Sequence, residues 1–191
     1  MWVPRSTILS AVAPTHVEKG KTMQNIYLIG FMGSGKSTVG AALASHLNLT
    51  LLDTDEMIVS RDGRDIPAIF DAEGEPYFRR LEREVISKVA AMEEPCVVSC
   101  GGGVVLSEAN VSAMRSSGQV IWLTAPAEEI LCRVESDTNR PLLSGKKTLS
   151  DIETMMESRH AAYTAAADIS IDTAGRGVED IVSEIVSKIS V

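Results

Sequence analysis

Lys36 belongs to the stretch Gly30-Phe31-Met32-Gly33-Ser34-Gly35-Lys36-Ser37-Thr38, which fits G-x-x-x-x-G-K-[ST] with an additional glycine at Gly33. The chemistry of that spacing is phosphate binding. Its glycines let the chain coil until successive backbone N–H groups point inward at an anion. Lys36 adds a mobile positive charge for β- and γ-phosphates, and the Ser37 hydroxyl is placed to ligate Mg²⁺. Gly33, Ser34, Gly35, Lys36, Ser37 and Thr38 are therefore the expected nucleotide contacts.

Other residues along the chain have the types such a site needs. Asp53-Thr54-Asp55 follows an apolar run, and in open α/β sheets ligands bind at the carboxyl ends of strands. Two carboxylates there can divide the labour, one holding a metal through water while the other orients an acceptor hydroxyl. The competing reading is a strand terminator and helix N-cap. Glu75, Arg79 and Glu82 share one face of a helix starting near Glu75, with Phe78, Leu81, Val85 and Val89 on the next; a surface ion pair accounts for the first set as well. Gly101-Gly102-Gly103 is too long for one turn and suits backbone lying close against a ligand. Ser99 precedes it, at a strand end where phosphate-loop proteins carry an acid for Mg²⁺, and would act through a water. Arg159 lies on an apolar stripe with Met155, Met156, Ala162, Tyr163 and Ala166, so it either meets a carboxylate of the protein or reaches into a cleft. Arg140, in a polar loop, has the reach of an arginine finger supplied in cis or of a solvated charge.

These groups need a scaffold, and the hydrophobic pattern supplies one. Strands are predicted at Ile26–Gly30, Thr50–Asp53, Cys96–Cys100, Val120–Thr124 and Ile169–Asp172. Most are continuous apolar runs, as in a parallel sheet covered on both faces, while the last alternates like a half-exposed edge. Helices are predicted after Lys36, Asp55, Ile66, Glu75, Ser107, Pro126, Ser150 and Gly177, with Ser150-x-x-Glu153 as a capping box. From Asp53 to about Glu94 the pattern is helical only, too much for a simple crossover, which leaves room for an acceptor-binding insertion.

The 191 residues suit one domain over 23–191 preceded by a disordered extension over 1–22. That extension lacks the apolar core of a secretory signal; organelle import is weakly supported, since Arg5 is its single arginine, and an upstream start codon fits Met23 equally well. A net charge of −8 speaks against nucleic acid and anionic membrane as partners. Cys96, Cys100 and Cys132 have no metal spacing and read as free thiols in a reducing cytoplasm.

Together these motifs closely resemble the shikimate kinase family from Asn25 to near Lys188: the phosphate loop, the D-x-D, the run F-x-x-x-G-E-x-x-F-R-x-x-E from Phe70 to Glu82, the G-G-G and the lid R-P-L at Arg140. The resemblance implies a three-layer αβα fold with a five-stranded parallel sheet in 2-3-1-4-5 order, a substrate-binding insertion over about residues 54–94 and a lid over about 133–147. It implies a monomer that transfers the γ-phosphoryl of ATP, with one Mg²⁺, to the 3-hydroxyl of shikimate. By position, Lys36, Asp55 and Arg140 would be catalytic, Asp55 also binding substrate hydroxyls. Arg79 and Arg159 would clamp the shikimate carboxylate, with Glu82 holding Arg79, Phe70 and Phe78 walling the pocket, and Gly101, Gly102 and Gly103 lining it. Arg133 and Arg176 would sandwich the adenine; Ser37 would ligate Mg²⁺ directly, Asp53 and Ser99 through water. One departure is Val59, where the family often has Glu; it reads as a lost supporting contact outside the site. The rival readings are another small-molecule kinase, such as a gluconate kinase, and a kinase-like protein that binds nucleotide without catalysis.

Overall fold

The computed structural model describes residues 23–135 and 148–189; the expected extension over 1–22 and most of the expected lid, Arg140 included, lie outside the described residues. Five strands pair in parallel as one sheet: β1 (Asn25–Ile29), β2 (Thr50–Asp53), β3 (Cys96–Ser99), β4 (Gly118–Thr124) and β5 (Ile169–Asp172). Their order is β2-β3-β1-β4-β5, as the resemblance implies. The helices are α1 (Lys36–Leu47), α2 (Thr54–Asp62), α3 (Ile66–Ala90), α4 (Glu108–Ser117), α5 (Ala127–Glu135), α6 (Leu149–Ala166) and α7 (Val178–Lys188).

Strand alternation divides the core into two layers. Ile26, Leu28, Ile121 and Leu123 face one side, where Val39 and Leu43 of α1 and Ile181 and Ile185 of α7 cover them. Tyr27, Ile29, Val98 and Val120 face the other, against Ile86 of α3, Met114 of α4 and Tyr163 of α6. Each such side chain, fully buried, contributes about 1.5–3 kcal/mol, so both layers are needed to hold the strand ends in place. β1 lies in the centre, and all five of its residues are buried. That places the phosphate loop, which leaves its carboxyl end, on the most rigid part of the sheet.

Several boundaries differ from the pattern-based expectation. β1 ends at Ile29 because Gly30 turns out of the sheet with φ +147°. Gly118 belongs to β4: it pairs with Asn25, and a Cβ there would stand 2.1 Å from the Asn25 carbonyl oxygen. The helix after Ser150 begins at Leu149, and its capping box is Thr148 with Asp151 rather than Ser150 with Glu153. Both pairs obey the same spacing, and the chain chose the earlier one. The helical runs after Ile66 and Glu75 join as α3, interrupted at Gly74 (φ 77°, ψ 176°), a conformation only glycine adopts cheaply.

The three cysteines behave as different thiols. Burial pushes the Cys96 thiol up to about 11 and raises Cys100 as well, whereas Cys132 is exposed. A disulfide-exchange reagent at mildly alkaline pH is therefore expected to titrate one of the three thiols in the native protein and all three after denaturation. More than one fast-reacting native thiol would contradict the packing of β3.

Candidate active site

The phosphate loop joins β1 to α1 through left-handed glycines, Gly33 at φ 76° and Gly35 at φ 99°, with Gly35 serving as the helix N-cap. Lys36 folds back over the loop, its Nζ donating to the carbonyls of Gly30 and Phe31 at 2.9 Å each. Ser34 is buried, and its hydroxyl has no hydrogen-bond partner among the described residues.

A cleft of about 410 Å³ opens above this loop. Its walls include residues 33–38 of the loop, Asp53, Asp55, Ser99, Gly101, Gly102, Arg133 and Arg176. Asp53 and Ser99 are register partners at the carboxyl ends of β2 and β3. The Asp53 carboxylate caps α2, accepting from Asp55 N at 2.9 Å and Glu56 N at 3.3 Å, so the capping role holds and one edge of the carboxylate is taken up by it. Together with the Ser37 hydroxyl these are hard oxygen donors, few in number. Such a set fits Mg²⁺, which is held by one or two carboxylates plus phosphates and waters and not by an all-protein cage. Among the described residues no three His, Cys, Asp or Glu side chains cluster as a metal cage.

Arg133 and Arg176 stand at the far end of the cleft with Val178 and Ile181. Arg133 is fixed by Glu129 (2.5 Å), the Gly33 carbonyl (3.1 Å) and the Thr173 carbonyl (2.9 Å). Arg176 is fixed by Glu184 (2.5 Å) and the Asp172 carbonyl (2.9 Å).

At the other end the three glycines act as a rail. A Cβ on Gly101 would stand 2.7 Å from Asp55 Oδ1, and one on Gly103 would stand 2.5 Å from both Nη atoms of Arg79. Between them, the Tyr163 hydroxyl donates to the Gly102 carbonyl at 2.5 Å. Burial pushes that phenol up to about 12, with Arg159, its hydrogen-bonding neighbour, pulling the other way. Arg159 also lies over the Phe31 ring at 5.8 Å, and among the described residues no carboxylate pairs with it. Of the two alternatives the sequence leaves open, the described residues supply no protein acid for this arginine.

Arg79 is held more firmly. It donates to Glu75 through Nε (3.1 Å) and Nη2 (3.0 Å), and to both oxygens of Glu82 through Nη1 (3.0 and 3.1 Å). The surface pair with Glu75 thus forms too, but Glu75 is exposed and such a pair adds little. Glu82 is buried; desolvation raises its carboxyl above the usual range, and the Arg79 charge opposes that rise. Phe70 and Phe78 pack as a tilted pair, centroids 4.8 Å apart, within the α2–α3 cluster, and Arg79 lies over Phe78 at 5.4 Å. Neither ring lines the cleft itself, nor do Gly103, Arg79 and Arg159; Arg79 meets the glycine rail at Gly103, and Arg159 neighbours Tyr163, which bonds the rail at Gly102.

Three supporting residues have no signal in a single sequence or only a weak one. Thr54 accepts from the Gly101 N–H at 2.9 Å and so ties the rail to α2. The Thr173 hydroxyl sits 3.0 Å from the Thr124 carbonyl and 3.3 Å from that of Ser34. Both follow strands, so the strand-end rule points to them. Tyr163 was visible only as a member of an apolar stripe.

The loop end of this cleft suits nucleotide phosphates and the rail end suits a small polar acceptor, so fold and site define a small-molecule kinase of the phosphate-loop class. Comparison with known proteins narrows the class. The family model described as shikimate kinase matches residues 32–190. A shikimate kinase of Geobacter metallireducens is 43% identical over 91% of this chain and 96% of its own, and one of Persephonella marina is 44% identical over 87% and 99%. The structure of a shikimate kinase from Acinetobacter baumannii in complex with shikimate superposes with a TM-score of 0.81 at 33% identity, covering 88% of this chain and 97% of that one. The chain belongs to the shikimate kinase family.

Proposed function

We propose that this chain passes the γ-phosphoryl of ATP to the 3-hydroxyl of shikimate within the one cleft, with the phosphate loop at one end and the glycine rail at the other. Family membership makes it a kinase that phosphorylates shikimate, a step in making aromatic amino acids. The further assignments concern which groups do what. Lys36 and the loop N–H groups hold the β- and γ-phosphates, and Arg133 and Arg176 flank the adenine. Asp55 receives the acceptor hydroxyl and its proton. Arg79, at Gly103, and Arg159, beside Tyr163, bind the shikimate carboxylate, with the Phe78 ring against Arg79. Arg140 of the expected lid neutralises the transferring group. Ser37 would hold Mg²⁺, with Asp53 and Ser99 acting on it through water, and the ion would offset phosphate charge. The protein works as a monomer in the cytoplasm; among the described residues no helix is long and apolar enough to cross a membrane.

The observation that carries this reading is the rail, where each glycine makes room for, or bonds to, a group suited to one part of a hydroxylated ring acid. A coupled ADP-release assay with an acceptor panel tests it. Shikimate is expected to turn over fastest, with gluconate and nucleoside monophosphates near background. Faster turnover with gluconate would overturn the acceptor, and ATP binding with no acceptor phosphorylated would favour a non-catalytic nucleotide binder.

Arg159 gives a more local prediction. Lysine keeps the charge but not the fork that matches a carboxylate. Arg159→Lys is expected to raise the shikimate KM by about tenfold, with the KM for ATP within about twofold of the parent. An equal loss for both substrates would make the arginine structural.

A further inference from the structure

We infer that Asn110 is a positioning residue for the acceptor carboxylate: its buried amide locks Glu82, and through Glu82 the guanidinium of Arg79, against the turn that starts at Gly103. The inference rests on the reading of Arg79 given above.

Asn110 lies in the first turn of α4 and is 1% exposed. A buried asparagine there is costly unless its amide is used, since an apolar residue packs better and forms helix more readily. Its Nδ2 stands 3.1 Å from the Val104 carbonyl and 3.3 Å from Glu82 Oε2, one contact for each of its two N–H groups. Val104 opens the short 3-10 turn Val104–Leu106, which directly follows the glycine rail. One amide therefore joins three segments: α4, the turn and the buried acid of α3.

The consequence falls on Arg79. Both Glu82 oxygens already accept from Arg79 Nη1, so the rotation of that carboxylate sets the rotation of the guanidinium. With Glu82 pinned to the turn, the guanidinium is kept against Gly103, where a Cβ would collide with it. Without Asn110, the hydrogen bonds left to Glu82 among the described residues come from Arg79, and the two can rotate together away from the rail. The charged or titratable groups facing Glu82 are Arg79 of α3, Asp55 of α2 and Cys100 after β3. Burial raises the Glu82 carboxyl and the Asn110 bond lowers it, so loss of Asn110 also moves Glu82 towards its neutral form, which grips Arg79 less.

The test uses the full chain with steady-state kinetics on both substrates. Asn110→Leu is expected to raise the shikimate KM by about tenfold, leaving kcat at saturation and the ATP KM within about twofold. The acid limb of kcat/KM for shikimate should move to higher pH. Asn110→Asp, equal in size but with at most one donor in place of two, covers the case in which the leucine variant does not fold, and should raise the same KM. Asn110→Gln, which retains the amide, should recover most of the loss. In an Arg79→Ala background, Asn110→Leu should add nothing. An unchanged shikimate KM in the leucine and aspartate variants, with Arg79→Ala impaired, overturns the inference alone. An equal penalty with or without Arg79, or a uniform fall in both substrates, reduces Asn110 to a packing role and also overturns it. If Arg79→Ala leaves the shikimate KM unchanged, the reading of Arg79 fails first.

Discussion

Asp55→Asn is expected to lower kcat by about a thousandfold, the scale of a lost general base combined with a lost orienting charge. The substitution changes two atoms' chemistry and almost no shape. Asp55 sits in the first turn of α2, its own N–H held by Asp53, so the backbone that carries it is fixed independently of its side chain. Its Oδ1 packs against Gly101, 2.7 Å from where a Cβ would stand, and the residue lines the cleft. An amide retains that contact but cannot accept a proton from the attacking hydroxyl. The change also relieves repulsion with the buried Glu82, whose carboxyl Asp55 raises in the parent, so the fold is expected to hold. The shikimate KM should rise far less than kcat falls. Single-turnover phosphoryl transfer, measured beside thermal melts, separates the effects: near-normal turnover removes Asp55 from the mechanism, and a melting point lowered in step with activity makes it a structural residue.

How much of this was legible beforehand depends on which physical rule each residue obeys. The phosphate loop could be read because its constraint is local: glycines at φ values other residues avoid, a lysine and a hydroxyl at the start of a helix. The strand set was legible because a parallel sheet covered on both faces needs continuous apolar runs, and β1 and β3 are buried throughout. Gly118 was missed because its glycine character answers to the Asn25 carbonyl, 93 positions away in the chain. The Ser150 capping box was misplaced since Thr148 and Asp151 satisfy the same spacing, and local pattern cannot choose between two overlapping caps. At the site, helical spacing puts Glu75, Arg79 and Glu82 on one face but favours a surface ion pair, and the apolar stripe leaves Arg159 between a protein acid and a cleft; only the family resemblance gives them a substrate role. Asn110 had no such signal. A polar residue in the first turn of an ordinary helix is common, and only the fold brings it to Glu82 and Val104.

Gly103→Ala is expected to raise the shikimate KM by about a hundredfold, the cost of withdrawing an arginine fork from a desolvated carboxylate. The backbone does not object: Gly103 lies at φ −102°, ψ 1°, open to any L residue, and its carbonyl would still accept from Leu106 N at 3.0 Å. The damage comes from space. A new Cβ would stand 2.5 Å from Nη1 and Nη2 of Arg79 and 2.8 Å from its Cζ, well inside contact distance. Of the two partners, the turn is tied to α4 through Asn110 and to α6 through the Tyr163 bond to Gly102, so the guanidinium is the one that yields. Arg79 can keep Glu75 as it swings outward, because that partner is exposed, but it then leaves Glu82 and the rail. The ATP KM should stay within about twofold, since neither Gly103 nor Arg79 lines the nucleotide end of the cleft. Gly102→Ala should do less harm than Gly103→Ala, because a Cβ there meets nothing closer than the Gly30 carbonyl oxygen at 3.7 Å. A reversed order, or a Gly103→Ala enzyme with the parent's shikimate KM, would mean that Arg79 does not meet the acceptor from this position. Addition of guanidinium-bearing small molecules to Gly103→Ala should not restore activity, because the displaced group still belongs to the chain and its place is filled by the new methyl.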